Sequence, residues 1–192
     1  ADLVDHAAAD AELEARQIVG LRDRPLGVED DAGAMGEHRQ HLDALVLGGD
    51  QVVGGAPFNV ARHLAAFMAP QLMITRVGTD RNGNLVRGEF ERFAMSARGL
   101  QADPLEETGR VLVERGGADG HRFIILPDQA YDFIEVDAAL EAVREVEPQA
   151  FYFGTLAQRG ERSREALFVL LGASVATRFL DLNLRTGQCD RD

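Results

Sequence analysis

The sequence predicts an α/β fold with a mainly parallel sheet, because short apolar runs alternate with helix-like stretches from residue 51 onward. The apolar runs "LMITRVG", "AFYFG" and "TRFLDLN" are typical of buried strands, and they begin at residues 72, 150 and 177. A second observation concerns "GRVLVER" and "HRFIILP", which flank the glycine-rich "GGADG". Two β-rich runs around such a turn predict a β-hairpin, which we expect to be an appendage of the sheet.

Helical periodicity occupies the stretches between the predicted strands. It predicts helices over residues 58–68, 84–94, 136–146 and 162–172, with Asp137 as the N-cap of the third. Residues 1–50 differ, since they hold 12 acidic residues and 4 arginines. Within them "DHAAADAELEARQIV", rich in Ala and Glu, predicts a helix. We therefore expect an acidic N-terminal segment, 1–50, and a domain over 51–192.

Composition excludes several function classes. A net charge of −12 repels polyanions, so nucleic acid and anionic membrane are not expected partners. All 20 basic residues are arginine, which excludes a phosphate-binding loop ending in Gly-Lys, the strand lysine of protein kinases and Schiff-base chemistry. The one cysteine, Cys189, suits a reducing compartment, and no long apolar run or signal peptide is visible. These observations favour a cytoplasmic protein.

The stretch "GGAPFNVARHLAAF", at 54–67, carries the clearest chemical signal. Gly54 and Gly55 allow the backbone to approach a ligand closely, and Pro57 suits the entry to a helix. Asn59 offers a donor and an acceptor from one amide group, which suits the paired hydroxyls of a vicinal diol. The same residues also fit a glycine turn followed by a capping residue, so both interpretations remain open at this point.

Three further segments extend this signal in a fixed order. They are "RVGTDRNG" at 76–83, "TGRVLVERGGADGHRFIILP" at 108–127 and "FLDLNLR" at 179–185. Together with "GGAPFNVA", they resemble the signature, turn, substrate-side hairpin and Asp-x-Asn-x-Arg strand end of the PfkB carbohydrate kinases, the ribokinase and fructokinase group. The residues "GGAPFNVA" are similar to those found in the fructokinase branch of this family.

The resemblance implies a partial ribokinase-like three-layer sandwich whose hairpin, at about 108–126, forms a lid. It implies ATP and Mg²⁺ as cofactors and a small-molecule sugar such as fructose as substrate. Gly54, Gly55 and Asn59 would hold sugar hydroxyls, and Thr155 lies near a frequent sugar contact of the family. Phosphate would be bound by backbone amides at a helix N-terminus, so the absence of lysine is no obstacle. No metal-ligating side chain is predicted.

The phosphate side would carry Asn183 and Arg185, although Arg185 fits a structural ion pair equally well. The resemblance implies that Asp80 and Gly83 shape a turn rather than contact substrate. It also makes the lid a surface through which a homodimer could form.

The sequence departs from the family in two places. "GEHRQHLDALVLGG", at 36–49, stands where the family has its first strand with a sugar-binding Asp. The family's Gly-Ala-Gly-Asp segment, which supplies the anion hole and the catalytic base, has no counterpart in the 192 residues. We therefore expect the C-terminal half of the domain to be missing and the polypeptide as written to be inactive. The alternative is a non-catalytic module that binds a sugar or a partner.

Overall fold

The computed structural model describes residues 10–14, 18–21, 52–115 and 121–183, which form nine strands and four helices. The strands are β1 (Asp10–Glu14), β2 (Ile18–Leu21), β3 (Val52–Gly54), β4 (Gln71–Gly78), β5 (Leu100–Asp103), β6 (Arg110–Arg115), β7 (His121–Ile125), β8 (Ala150–Gly154) and β9 (Thr177–Asp181). The helices are α1 (Ala56–Ala66), α2 (Arg81–Arg92), α3 (Val136–Val146) and α4 (Glu161–Gly172). None of the helices in these ranges is long and apolar enough to cross a membrane.

The central sheet has five strands in the order β5-β4-β2-β8-β9. β4 pairs with β5 and β8 with β9 in parallel, while β2 runs antiparallel to both β4 and β8. Four of the five strands therefore point the same way. The predicted α/β fold with a mainly parallel sheet is confirmed.

The predicted hairpin belongs to a second sheet with the order β3-β1-β6-β7. β6 and β7 pair antiparallel from Val111 opposite Ile125 to Arg115 opposite His121, as the sequence predicts for a hairpin. The turn residues 116–120 lie outside the described residues. β1 pairs with β6 on one side and with β3 on the other, so the hairpin is half of a four-stranded sheet.

Two apolar clusters cover the two faces of the central sheet. Alternation along β4 divides its side chains between them, because Leu72 and Ile74 point to one face and Met73 and Val77 to the other. The first cluster packs the sheet on α3 and α4, and the second packs it on α1 and α2. A central strand buried on both faces explains why "LMITRVG" is almost continuously apolar.

The helix predicted over residues 5–19 is wrong. Asp10–Glu14 and Ile18–Leu21 are strands, and they belong to different sheets. Ala and Glu favour a helix only weakly, and strand pairing on both sides of β1 and β2 outweighs that preference.

The remaining helix predictions are confirmed to within a few residues, with one correction at a helix start. The N-cap of α3 is Glu135, and Asp137 lies in the first turn. An acid there still interacts favourably with the positive end of the helix dipole. α2 starts at Arg81, earlier than predicted, because Asp80 caps it through the Gly83 N–H.

Candidate functional site

The predicted site residues lie on segments that meet at one edge of the central sheet. β4, β8 and β9 end at the same edge because they point the same way. α1 packs along β4 and joins its beginning through residues 67–70, so the start of α1 lies near the end of β4. In parallel α/β sheets, ligands bind outside the carboxyl ends of the strands. The topology thus places Gly55, Thr155 and Asn183 on the side of the sheet at which these strands end.

The start of α1 has the geometry expected of a ligand-binding turn. Gly55 is the N-cap with φ 108° and ψ 141°, a conformation that favours glycine, and both Gly54 and Gly55 are buried. No described side chain caps this helix. The backbone N–H of Asn59 donates to the carbonyl of Gly55 across 2.9 Å. The Asn59 side chain is half-buried, and its amide group has no hydrogen-bond partner among the described residues.

A different arrangement surrounds Thr155 and Asn183 where β8 and β9 end. The Thr155 hydroxyl donates to the carbonyl of Leu182 across 2.9 Å. The Tyr152 hydroxyl donates to Oδ2 of Asp181 across 2.6 Å, and Oδ1 of Asp181 accepts the Asn183 N–H across 3.1 Å. Sequence reasoning missed Tyr152, whose ring reads only as part of the apolar run "AFYFG". Arg185 lies outside the described residues.

Asp80 connects the end of β4 to the segment that leads into β6, the first strand of the hairpin. One oxygen of its carboxylate accepts from the Gly83 N–H across 2.7 Å and from the Thr108 hydroxyl across 2.7 Å. The other accepts from the Thr108 N–H across 2.8 Å, and the Thr108 hydroxyl oxygen accepts the Gly78 N–H across 2.9 Å. Asp80 and Gly83 therefore shape a turn, and that turn also holds the beginning of β6.

The ionisation of Asp80 follows from these contacts. Burial alone would raise the pKa of this carboxyl, but hydrogen bonds from Gly83 and Thr108 act in the opposite direction and outweigh it. The net effect holds the pKa of Asp80 below its usual value. The turn is consequently built around a carboxylate, which accepts several hydrogen bonds at once.

Arg159 contacts the end of the hairpin, directly after β7. Sequence reasoning did not identify this residue. Its guanidinium donates to both carboxylate oxygens of Asp132 across 2.9 and 2.7 Å. The Nη2 group also donates to the carbonyl of Leu126 across 2.6 Å and to the Tyr131 hydroxyl across 2.8 Å. Leu126 follows β7 directly, so Arg159 connects the returning strand of the lid to the segment between β8 and α4.

The described residues supply no obvious metal centre. Within 10–14, 18–21, 52–115 and 121–183, no group of three His, Cys, Asp or Glu side chains is placed to hold a metal ion.

Comparison with known proteins fits this geometry. No family model matches the chain. The uncharacterized sugar kinase PH1459 of Pyrococcus horikoshii is 29% identical over 137 residues, which are 69% of this chain and 43% of that protein. Its crystal structure superposes with a TM-score of 0.64 at 24% identity, covering 91% of this chain and 53% of that one.

Fructokinases match the architecture as well. The Xylella fastidiosa enzyme gives a TM-score of 0.67 at 18% identity, with 94% of this chain and 52% of that chain covered. The fold is that of the ribokinase-like sugar kinases. The Vibrio cholerae fructokinase has been solved with fructose, ADP and calcium. It gives a TM-score of 0.58 at 20% identity, with 92% of this chain and 49% of that chain covered.

These matches confirm the resemblance to PfkB-type carbohydrate kinases for part of the chain. The chain spans about half the length of the relatives it matches, with 43% of PH1459 aligned in sequence and 52% of the Xylella fructokinase aligned in structure.

Proposed function

We propose that the chain is the sugar-binding part of an ATP-dependent, fructokinase-like kinase that transfers the γ-phosphate to a sugar hydroxyl. The observation that carries this proposal is the start of α1. Among the described residues, its first turn has no side-chain cap and the half-buried side chain of Asn59 has no hydrogen-bond partner. The Asn59 amide offers a donor and an acceptor at this edge of the sheet, which favours a polar ligand.

A sugar satisfies these groups chemically. Neighbouring hydroxyls donate and accept, as the carbonyl and NH₂ of Asn59 do. Gly54 and Gly55 have no side chain that would keep a ligand away from the backbone. The hairpin of β6 and β7 would exclude water from the bound hydroxyl, which keeps the transferred phosphoryl group from hydrolysis. The relative from Vibrio cholerae has been solved with fructose and ADP, which supports a ketose as the substrate class.

The phosphate side of the reaction is assigned to Asn183 and Arg185. PH1459 has been solved with ATP, which supports this nucleotide as the donor. Mg²⁺ would arrive with the ATP phosphates, because this ion is commonly bound through substrate phosphates and few protein carboxylates. When bound, ATP supplies the phosphoryl group, and the residues of this chain bind and orient the acceptor.

Catalysis needs a base that the 192 residues do not include in recognisable form. The family resemblance assigns this base to the Gly-Ala-Gly-Asp segment, which is absent from the sequence. A positioned base contributes about 10²–10⁴-fold to the rate. We therefore propose that these residues alone bind sugar without measurable phosphate transfer. The second candidate function, a non-catalytic sugar-binding module, rests on the same observation.

The kinase proposal is tested by completing the domain. The chain is fused to the part of the Xylella fastidiosa fructokinase that it does not match, and ADP release is measured with fructose and with adenosine. We expect fructose-dependent release that requires the added part. Phosphorylation of the nucleoside alone would contradict the fructokinase assignment.

Two further expectations remain predictions. We propose that two copies associate through the lid, where β7 lies at one edge of its sheet, and that the protein works in the cytoplasm. Sedimentation of the purified chain tests the first, and localisation of a tagged chain in its native cell tests the second.

A further inference from the structure

Tyr152 of β8 and Thr155, directly after β8, contact the last residue of β9 and the residue that follows it. The Tyr152 hydroxyl donates to Oδ2 of Asp181, and the Thr155 hydroxyl donates to the carbonyl of Leu182. The pairing of β8 with β9 ends at Gly154 opposite Asp181. The bond from Tyr152 to Asp181 lies within the paired residues, and the bond from Thr155 to Leu182 continues the connection one residue beyond them.

Asp181 extends this connection to Asn183. Its second oxygen, Oδ1, accepts the backbone N–H of Asn183 across 3.1 Å, which forms an Asx turn. Asn183 has φ 34°, in the left-handed region that asparagine tolerates better than most residues. A carboxylate accepts hydrogen bonds at both oxygens, so the bond from Tyr152 and the turn do not compete.

The Tyr152 ring is itself well anchored. It is half-buried and packs against the cluster that contains Phe58 of α1 and Phe90 of α2. Burial raises the pKa of the Tyr152 hydroxyl, and the Asp181 carboxylate raises it further. The hydroxyl therefore stays protonated and remains a donor to Asp181 across the physiological pH range.

We propose that Tyr152 and Thr155 are positioning residues for Asn183. They hold the turn from Asp181 to Asn183 in the shape that directs the Asn183 side chain to the phosphate groups of ATP. The identity of this ligand rests on the proposed kinase function. The proposal goes beyond that function because it adds Tyr152 to the site and gives Thr155 a role other than direct contact with the sugar.

The test uses the 192-residue chain with Tyr152→Phe and Thr155→Val, each of which removes a hydroxyl and keeps the shape of the side chain. Thr177→Val is the matched control, because Thr177 is exposed at the beginning of β9 and its side chain has no hydrogen bond among the described residues. Amide hydrogen exchange of Asn183 is measured by NMR. We expect exchange about 3- to 10-fold faster in either variant, which corresponds to one lost hydrogen bond.

Exchange at Ile74, a fully buried residue of β4, reports whether the fold as a whole is disturbed. It should be unchanged in both variants, and Thr177→Val should change neither amide. Unaltered exchange at Asn183 in both variants would overturn the proposal. Equally accelerated exchange at Ile74 and Asn183 would also overturn it, because the effect would then be global.

Ligand binding separates positioning from a merely structural role. Calorimetric titrations with ATP and with fructose are compared for the same variants. We expect ATP affinity to fall about 3- to 10-fold in both, with fructose affinity unchanged. Parallel losses of both affinities would contradict positioning, and a loss of fructose affinity in Thr155→Val alone would identify a direct sugar contact. If the unmodified chain binds neither ligand, the proposed function and the ligand assignment both fail, while the exchange data still decide the coupling of Tyr152 to Asn183.

Discussion

Replacing Gly83 by alanine should destabilise the chain by about 3 kcal/mol, the upper end of the usual cost of overpacking. A Cβ at this position would lie 2.0 Å from the carbonyl oxygen of Gly78 and 3.0 Å from its carbonyl carbon. Both atoms belong to the backbone at the end of β4, so α2 would have to move away from the sheet. That displacement would also break the hydrogen bond between Asp80 and the Gly83 N–H.

Gly88 provides the control within the same helix. A Cβ built there meets nothing within 4 Å. Gly88→Ala should therefore stabilise the chain by about 1 kcal/mol, the difference in helix propensity between the two residues. Urea denaturation of both variants measures the free energies of unfolding. Equal effects of the two substitutions would contradict the close approach of α2 to β4.

Removal of the Asp80 carboxylate should have the second largest effect, since three hydrogen bonds meet there. Asp80→Ala leaves the buried Thr108 and the Gly83 N–H without their acceptor. We expect a loss of about 2–3 kcal/mol in the free energy of unfolding, within the range for unsatisfied buried groups. Glu91→Ala is the control, because Glu91 is exposed on the same helix. A loss no larger than that of Glu91→Ala would contradict this role of Asp80.

The contribution of Asp80 should also depend on pH in a defined direction. Its pKa in the folded chain lies below the usual value of an aspartate side chain. A carboxyl group with a lowered pKa stabilises the folded state fully above the unfolded pKa, and this contribution is lost as the pH falls through the folded pKa. The stability difference between the unmodified chain and Asp80→Ala should therefore be constant near neutral pH and shrink below about pH 4. A difference that instead grows on acidification would contradict the assignment.

The sequence predicted those elements whose signal is local. The helices have their own periodicity, and the two runs on either side of "GGADG" pair with each other as β6 and β7. Strands β1 and β2 escaped prediction because their residues favour a helix in isolation and become strands only by pairing. β5 escaped because it is short and half polar, and its Asp103 is fixed by an ion pair with Arg76 of 2.8 Å.

The same distinction between local and long-range signals applies to the residues of the candidate site. Gly55 and Asn59 lie within one turn of α1, so the sequence alone predicts the glycine turn before this helix, with ligand binding and capping as alternatives. The bonds of Tyr152 to Asp181 and of Arg159 to Asp132 join residues 29 and 27 positions apart. Such pairs follow from the order of strands in the sheet, which local patterns do not encode.

Fructose binding by the purified chain tests the central claim most directly. Isothermal titration is carried out on the unmodified chain, on Asn59→Ala and on Asn84→Ala, whose side chain is exposed in the first turn of α2. If Asn59 holds sugar hydroxyls, its removal should weaken binding by about 10- to 100-fold, because each 1.4 kcal/mol of lost hydrogen bonding is tenfold in affinity. Asn84→Ala should bind as the unmodified chain does. No heat with fructose or any other hexose, or equal affinities for all three proteins, would contradict a sugar site at the start of α1.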